Sequence, residues 1–146
     1  MNMNRDSIKG RWTILSWEQV YDDGRIVRPM GTELEGFIEY SDYGMFCVVA
    51  KKDRAKFTTG GQWNASDAEK AEAYNSYLTY AGDYEVNGDT ITHKVRYSIF
   101  PNWVGGSQLR NAEFDGEVLT LTARLEEGTS EARTARLSWK RAVAAS

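Results

Sequence analysis

"SQLRNAEFDGEVLTLTARL", residues Ser107 to Leu125, places two alternating runs on either side of Asp115-Gly116. Period-two alternation is the pattern of half-buried strands, and an Asp-Gly pair supplies the positive φ angles of a tight hairpin. Counted outward from a two-residue turn, Ala112 faces Leu119, Arg110 faces Leu121 and Gln108 faces Ala123. Leu119 and Leu121 mark that face as interior, with Asn111, Glu113, Thr120 and Thr122 on the solvent side. The count turns Gln108 and Arg110 inward.

The same reading extends along the chain. Strand-like runs occupy roughly 11–21, 36–41, 44–52, 82–86, 90–99, 107–114, 117–125 and 133–142, punctuated by Asp23-Gly24, Tyr43-Gly44, Asn87-Gly88 and Asp115-Gly116. One helix interrupts them. Ser66 with Glu69 forms a capping-box pattern, Ala71, Tyr74, Tyr77, Leu78 and Ala81 recur at helical spacing, and Gly82 ends the run. One helix cannot cover eight strands, so the sheet covers itself. The expectation is an all-β fold: an eight-stranded up-and-down antiparallel β-barrel, with one short α-helix closing a mouth.

Composition agrees with one compact unit, a single domain over 1–146. The chain has 41% hydrophobic and 12% aromatic residues, two prolines and a net charge of −3, which excludes a disordered or fibrous chain. Basic residues are scattered among acids, so no nucleic-acid footprint is expected. The cluster Lys51, Lys52, Arg54 and Lys56, broken by Asp53, reads as a solvated loop, with phosphate binding as the alternative. Cys47 is the single cysteine and His93 the single histidine, so neither a disulfide nor a metal site is expected. Cys47, among Met45, Phe46, Val48 and Val49, reads as a small buried hydrophobe. The N-terminus has no apolar signal-peptide core and no run is long enough to span a membrane, so the chain reads as cytoplasmic.

Parity then nominates a site. From Asn87-Gly88, Tyr84 is set against Ile91 and Gly82 against His93, which leaves room around the imidazole. Ile91, His93, Val95, Tyr97 and Ile99 share the inward face; on the first strand Trp12, Ile14, Ser16 and Glu18 do; on the last, Ala135, Leu137 and Trp139 do. An interior carrying Ser16, Glu18, Tyr84, His93, Gln108 and Arg110 is too polar for a dry core, because each such group costs a few kcal/mol unless hydrogen-bonded. A ligand-filled or hydrated cavity accounts for them, with Tyr80, Tyr97, Asn102 and Trp103 as further candidate contacts.

Two readings stay open for each polar group. His93 is a general acid or base, or a ligand contact, or a structural histidine bonded to Tyr or Gln neighbours. Arg110 clamps a carboxylate or enolate oxygen, or pairs internally with Glu18. In "FPNWVGGSQ", Trp103 is a lid hinged on Gly105-Gly106, or a plug.

"KGRWTILSWE", "DDGRIVRPMG", "GFIEYSDYGMF", "EAYNSYLTYAGDYEVNGDTITHKV" and "SIFPNWVGGSQLRNAEFDGEVLTLTA" closely resemble the bacterial and fungal lipocalin-like domain family. The resemblance runs from about Ile8 to Arg141 and is most specific from Tyr77 to Leu121. It implies a calycin-type barrel with a central pocket. Gly10-x-Trp12 resembles the opening signature of lipocalins, which implies that Trp12 packs at the closed end near a basic residue of the last strand, Arg141 or Lys140.

The resulting expectation is a binder of a small amphipathic or hydrophobic molecule, accessory to small-molecule (secondary) metabolism. The alternative on the same cavity is a cofactor-free isomerase or cyclase, with His93 moving a proton and Arg110 steadying an oxyanion or carboxylate. Neither needs a cofactor, and no nucleic acid or membrane partner is implied. A monomer and a homodimer are both compatible with the sequence.

Overall fold

The computed structural model describes residues 3–143. After a short helix α1 (Arg5–Ile8), the strands are β1 (Gly10–Tyr21), β2 (Ile26–Val27), β3 (Leu34–Ser41), β4 (Gly44–Lys51), β5 (Tyr77–Asn87), β6 (Thr90–Ser98), β7 (Ser107–Phe114), β8 (Val118–Leu125) and β9 (Arg133–Arg141). Helix α2 (Asp67–Asn75) precedes β5, and a 3-10 turn (Pro101–Trp103) lies between β6 and β7. Each strand from β3 to β9 pairs antiparallel with the next, β1 pairs with β3, and β1 with β9 closes the sheet. Eight long strands thus form the expected up-and-down barrel, and β2 is a two-residue ribbon on β1.

Closure removes every long sheet edge, leaving one inner face to fill. Trp12, Ile38, Tyr40, Val49, Ile91, Leu119 and Trp139 are all at most 1% exposed. One end is sealed by α1: Asn4 caps it, Ile8 is fully buried, and the Trp12 indole donates to the Ile8 carbonyl at 2.9 Å. The Arg141 guanidinium lies 3.9 Å from the Trp12 ring centroid and donates to the carbonyls of Lys9 (2.7 Å) and Ser7 (2.9 Å). Of the two basic candidates on the last strand, Arg141 is the one that packs on Trp12.

Helix α2 is capped by Ser66 as expected, but it has nine residues and ends at Asn75 rather than running to Ala81. Tyr77, Leu78 and Ala81 belong to β5, because Tyr77 and Leu78 pair with Ala50 and Val49 of β4. Tertiary pairing overrides the local helical period there. No α2 residue is buried; the helix lies at the end opposite α1, where β5 begins.

Both hairpin registers differ from the two-residue count by two positions. Phe114 pairs with Leu119 and Ala112 with Leu121, because Asp115 opens a longer turn: its side chain accepts from the backbone N–H of Glu117 (2.9 Å) and Val118 (2.8 Å). Likewise Tyr84 pairs with His93 and Gly82 with Val95, the turn centring on Gly88-Asp89 with Gly88 at φ +62. A slip of two keeps every side chain on its face. The inward orientation of Gln108, Arg110 and His93 survives.

Two β-bulges do change faces. In β1, Ile14 pairs with Trp139 but Ser16 with Ser138, so Leu15 is an extra residue. Beyond it Trp17 and Gln19 turn inward, and Ser16 and Glu18 turn outward. In β6, Val95 pairs with Gly82 but Tyr97 with Ala81, so Arg96 is extra and Tyr97 turns out, 71% exposed. Gly82 is required at this crossing, since a Cβ there would collide with the Lys94 carbonyl oxygen.

Candidate functional site

At the end opposite α1 the inner face is incompletely filled. A cavity of about 120 Å³ remains, with Ile38, Cys47 and Trp139 toward its floor and Leu78, Leu121, Leu125 and Leu137 on its walls. Its polar groups come from several parts of the barrel wall: Trp17 and Gln19 of β1, Tyr80 of β5, Gln108 and Arg110 of β7, and Trp139 of β9. Trp103 covers the mouth, edge-on to Tyr80 at 5.4 Å between ring centroids and to Phe100 at 5.6 Å.

The mouth loop is tied down rather than hinged at its glycines. Gly105 donates to the Val95 carbonyl and Val95 to the Gly106 carbonyl, both at 2.9 Å. Any lid motion must come from the 3-10 turn or the Trp103 side chain.

Four of the ten expected contacts line this cavity: Tyr80, Trp103, Gln108 and Arg110. Ser16 and Glu18 do not; the bulge at Leu15 places them outside, and Glu18 lies 3.4 Å from Arg28. Glu18 is therefore not the internal partner weighed as one alternative for Arg110. Tyr84 is inward but belongs to the sealed end, its hydroxyl donating to the Ser41 carbonyl at 3.1 Å. Tyr97 and Asn102 face solvent. Trp17 and Gln19 went unnoticed in the sequence. Their one signal is the apolar Trp17 falling on the wrong parity after Trp12 and Ile14, the mark of an extra residue between them.

His93 lies one layer behind the lining. It is fully buried, with Nε2 2.6 Å from the Tyr40 hydroxyl and Nδ1 2.9 Å from the Tyr80 hydroxyl. The space expected beside it is occupied by these two phenols. Burial, reinforced by the charge of Arg110, pulls its pKa down to about 3. Burial raises the Tyr40 and Tyr80 hydroxyls, with Arg110 acting against the rise. The triad is neutral at physiological pH, and an imidazole with both nitrogens engaged and no exposed surface has no free lone pair to offer a ligand. Its evident work is to orient Tyr80, which touches the cavity.

Cys47 is 1% exposed, and burial pushes its thiol up to about 12. It behaves as the apolar floor residue expected of it, not as a nucleophile. Arg110 is different in kind. Its guanidinium donates to Gln108 Oε1 and to the Leu109 carbonyl, both at 3.2 Å, and no carboxylate pairs with it among the described residues. None of the residues lining the cavity is an Asp or Glu.

Elsewhere the basic loop forms an open groove of about 250 Å³ against α2. Arg54 there donates to Ser76 Oγ and the Ala73 carbonyl, both at 2.9 Å, and Glu69 and Glu72 line the same groove. It reads as the solvated helix-terminating loop. No group of three metal-ligating side chains occurs among the described residues, nor a helix long and apolar enough to cross a membrane.

Comparison with known proteins fits this geometry. No solved structure matches the chain significantly. A curated relative, the 4'-hydroxy-3'-methoxypropiophenone carrier protein ppsC of Aspergillus oryzae, is 31% identical over 67 residues, a match covering 40% of this chain and 60% of that protein. The family description "Lipocalin-like domain" matches residues 9–142, nearly the whole barrel, and the chain therefore belongs to the lipocalin-like domain family.

Proposed function

We propose that this protein binds one small amphipathic molecule in its barrel cavity and serves as a carrier or accessory protein of small-molecule (secondary) metabolism. The observation that carries this reading is the unfilled end of the barrel. Leucine and tryptophan walls there surround an arginine without a carboxylate partner among the described residues, the apolar enclosure with few polar fixings that small-ligand sites use. The likeness to a protein named as a carrier of an aryl ketone supports a carrying role.

The enclosed, neutral His93 supports binding over proton transfer. Location in the cytoplasm belongs to the same proposal. The test uses propiophenone as probe and tryptophan fluorescence as readout, since Trp17, Trp103 and Trp139 all border the cavity. Saturable quenching is expected in the wild type. Ala135→Phe, which fills the cavity from β9, should retain the fold by circular dichroism and lose the quenching. Equal quenching in both proteins would refute the cavity as the site.

A further inference from the structure

The hydrogen-bonding character of the cavity follows from counting which polar atoms remain free. An arginine only donates, so a glutamine facing one must present its oxygen. Gln108 gives Oε1 to Arg110 at 3.2 Å, and Gln19 gives Oε1 to Arg133 Nε at 2.8 Å. Each glutamine is left with its amide N–H groups. The indole N–H groups of Trp17 and Trp139 are buried and have no hydrogen-bond partner among the described residues. Both residues line the cavity. The Tyr80 hydroxyl bonds to Nδ1 of His93.

Five lining side chains thus carry donors that meet no acceptor among the described residues, one of them a cation with no lining carboxylate to balance it. Unpaired buried donors cost about 1–3 kcal/mol each, and the half-buried Arg110 guanidinium meets no carboxylate among the described residues. The complement is a group that only accepts and carries negative charge. Size narrows the rest: about 120 Å³ is on the scale of the ~150 Å³ cavities that take up a benzene ring. Flat faces for such a ring are present at Trp17 and Trp103.

We infer that the cargo is a single-ring aromatic oxyanion, an aryl carboxylate or an ionised phenol, held head-first at Arg110 with the Trp17 and Trp139 N–H groups as additional donors. This rests on the binding role proposed above and names its ligand class. Arg110 meets the oxyanion with two parallel N–H groups, a geometry an ammonium cannot reproduce. A neutral amide of the same shape brings no negative charge to Arg110 and is held less tightly.

The experiment compares benzoate with benzamide at pH 7, following the indole N–H resonances by ¹H–¹⁵N NMR. Benzoate should bind at least about tenfold tighter than benzamide, a difference of about 1.4 kcal/mol, and shift the Trp17 and Trp139 indole signals downfield. Arg110→Met should abolish the preference. 4-Nitrophenolate extends the test from carboxylate to phenolate: its binding, with the same dependence on Arg110, assigns both kinds of oxyanion, and its failure beside bound benzoate overturns the phenol half of the class. Equal affinity for benzoate and benzamide, or a preference that survives Arg110→Met, overturns the oxyanion class. Propiophenone binding that is lost in Ala135→Phe then leaves the carrier reading standing. Failure of benzoate, 4-nitrophenolate and propiophenone alike to reach the cavity overturns both.

Discussion

The Tyr40 hydroxyl and Nε2 of His93 stand 2.6 Å apart inside a fully enclosed layer of the barrel, and the Tyr80 hydroxyl closes the other side of the ring at 2.9 Å. This sandwich decides the role of the histidine. A buried imidazole whose nitrogens both meet phenols is a strut: it fixes two large side chains and keeps Tyr80 at the cavity wall. Its cost appears only in acid, where the unfolded chain takes up a proton that the folded ring refuses.

That refusal gives a signed pH dependence. The folded-state value of about 3 lies below the ordinary value of 6.5, so the stabilisation is complete above pH 6.5 and is lost as pH falls toward 3. Wild-type stability should fall by about 1.4 kcal/mol per pH unit within that window from this group, or about 2 kcal/mol between pH 6.5 and 5. His93→Gln should start less stable and lose that slope. Urea titrations of both proteins at pH 7.5, 6.5, 5.8 and 5 check this; parallel curves would refute it.

Arg110→Leu should leave the unliganded protein as stable as the wild type or slightly more so, because it removes a cation that no carboxylate meets. Thermal melts measure this directly. A loss above about 2 kcal/mol would mean the guanidinium is structural.

The β1 bulge predicts a contrast between neighbours. Glu18→Gln should leave ligand affinity unchanged and stability within about 0.5 kcal/mol, since its partner Arg28 is on the outside. Gln19→Leu should weaken binding of an oxyanion several-fold by removing a cavity donor. Isothermal titration of both variants with benzoate decides it. The reversed pattern would place Glu18 in the cavity.

Gly82 and Gly116 separate close approach from turn freedom. Gly116→Ala meets nothing within 4 Å, but its φ of +102 should cost about 1 kcal/mol. Gly82→Ala meets the backbone of the neighbouring strand and should destabilise by several kcal/mol or prevent folding. Chemical denaturation of the two variants ranks them.

At the sealed end, Arg141→Met should cost about 1–3 kcal/mol, because it loses two hydrogen bonds to carbonyls and the stacking on Trp12. Benzoate affinity should be unchanged, as the cavity lies at the other end.

Much of this was legible in the residues alone. Alternation and turn pairs specify the eight strands and their order, because a period of two is a local property and short antiparallel connections leave few topologies. The inward placement of Gln108, Arg110 and His93 also follows from parity, which a two-residue slip cannot disturb. Parity alone does not locate an inserted residue, of which the misplaced Trp17 is one local sign. Leu15 and Arg96 each add one, exchanging Ser16 and Glu18 for Trp17 and Gln19 on the inner face and sending Tyr97 outward. Those switches are set by pairing with strands distant in the chain, as is the conversion of Tyr77 and Leu78 from helix to strand. Whether a buried imidazole faces empty space or two phenols is likewise a matter of packing from β3 and β5, so only the closed barrel made His93 a strut and left Arg110 as the unanswered charge.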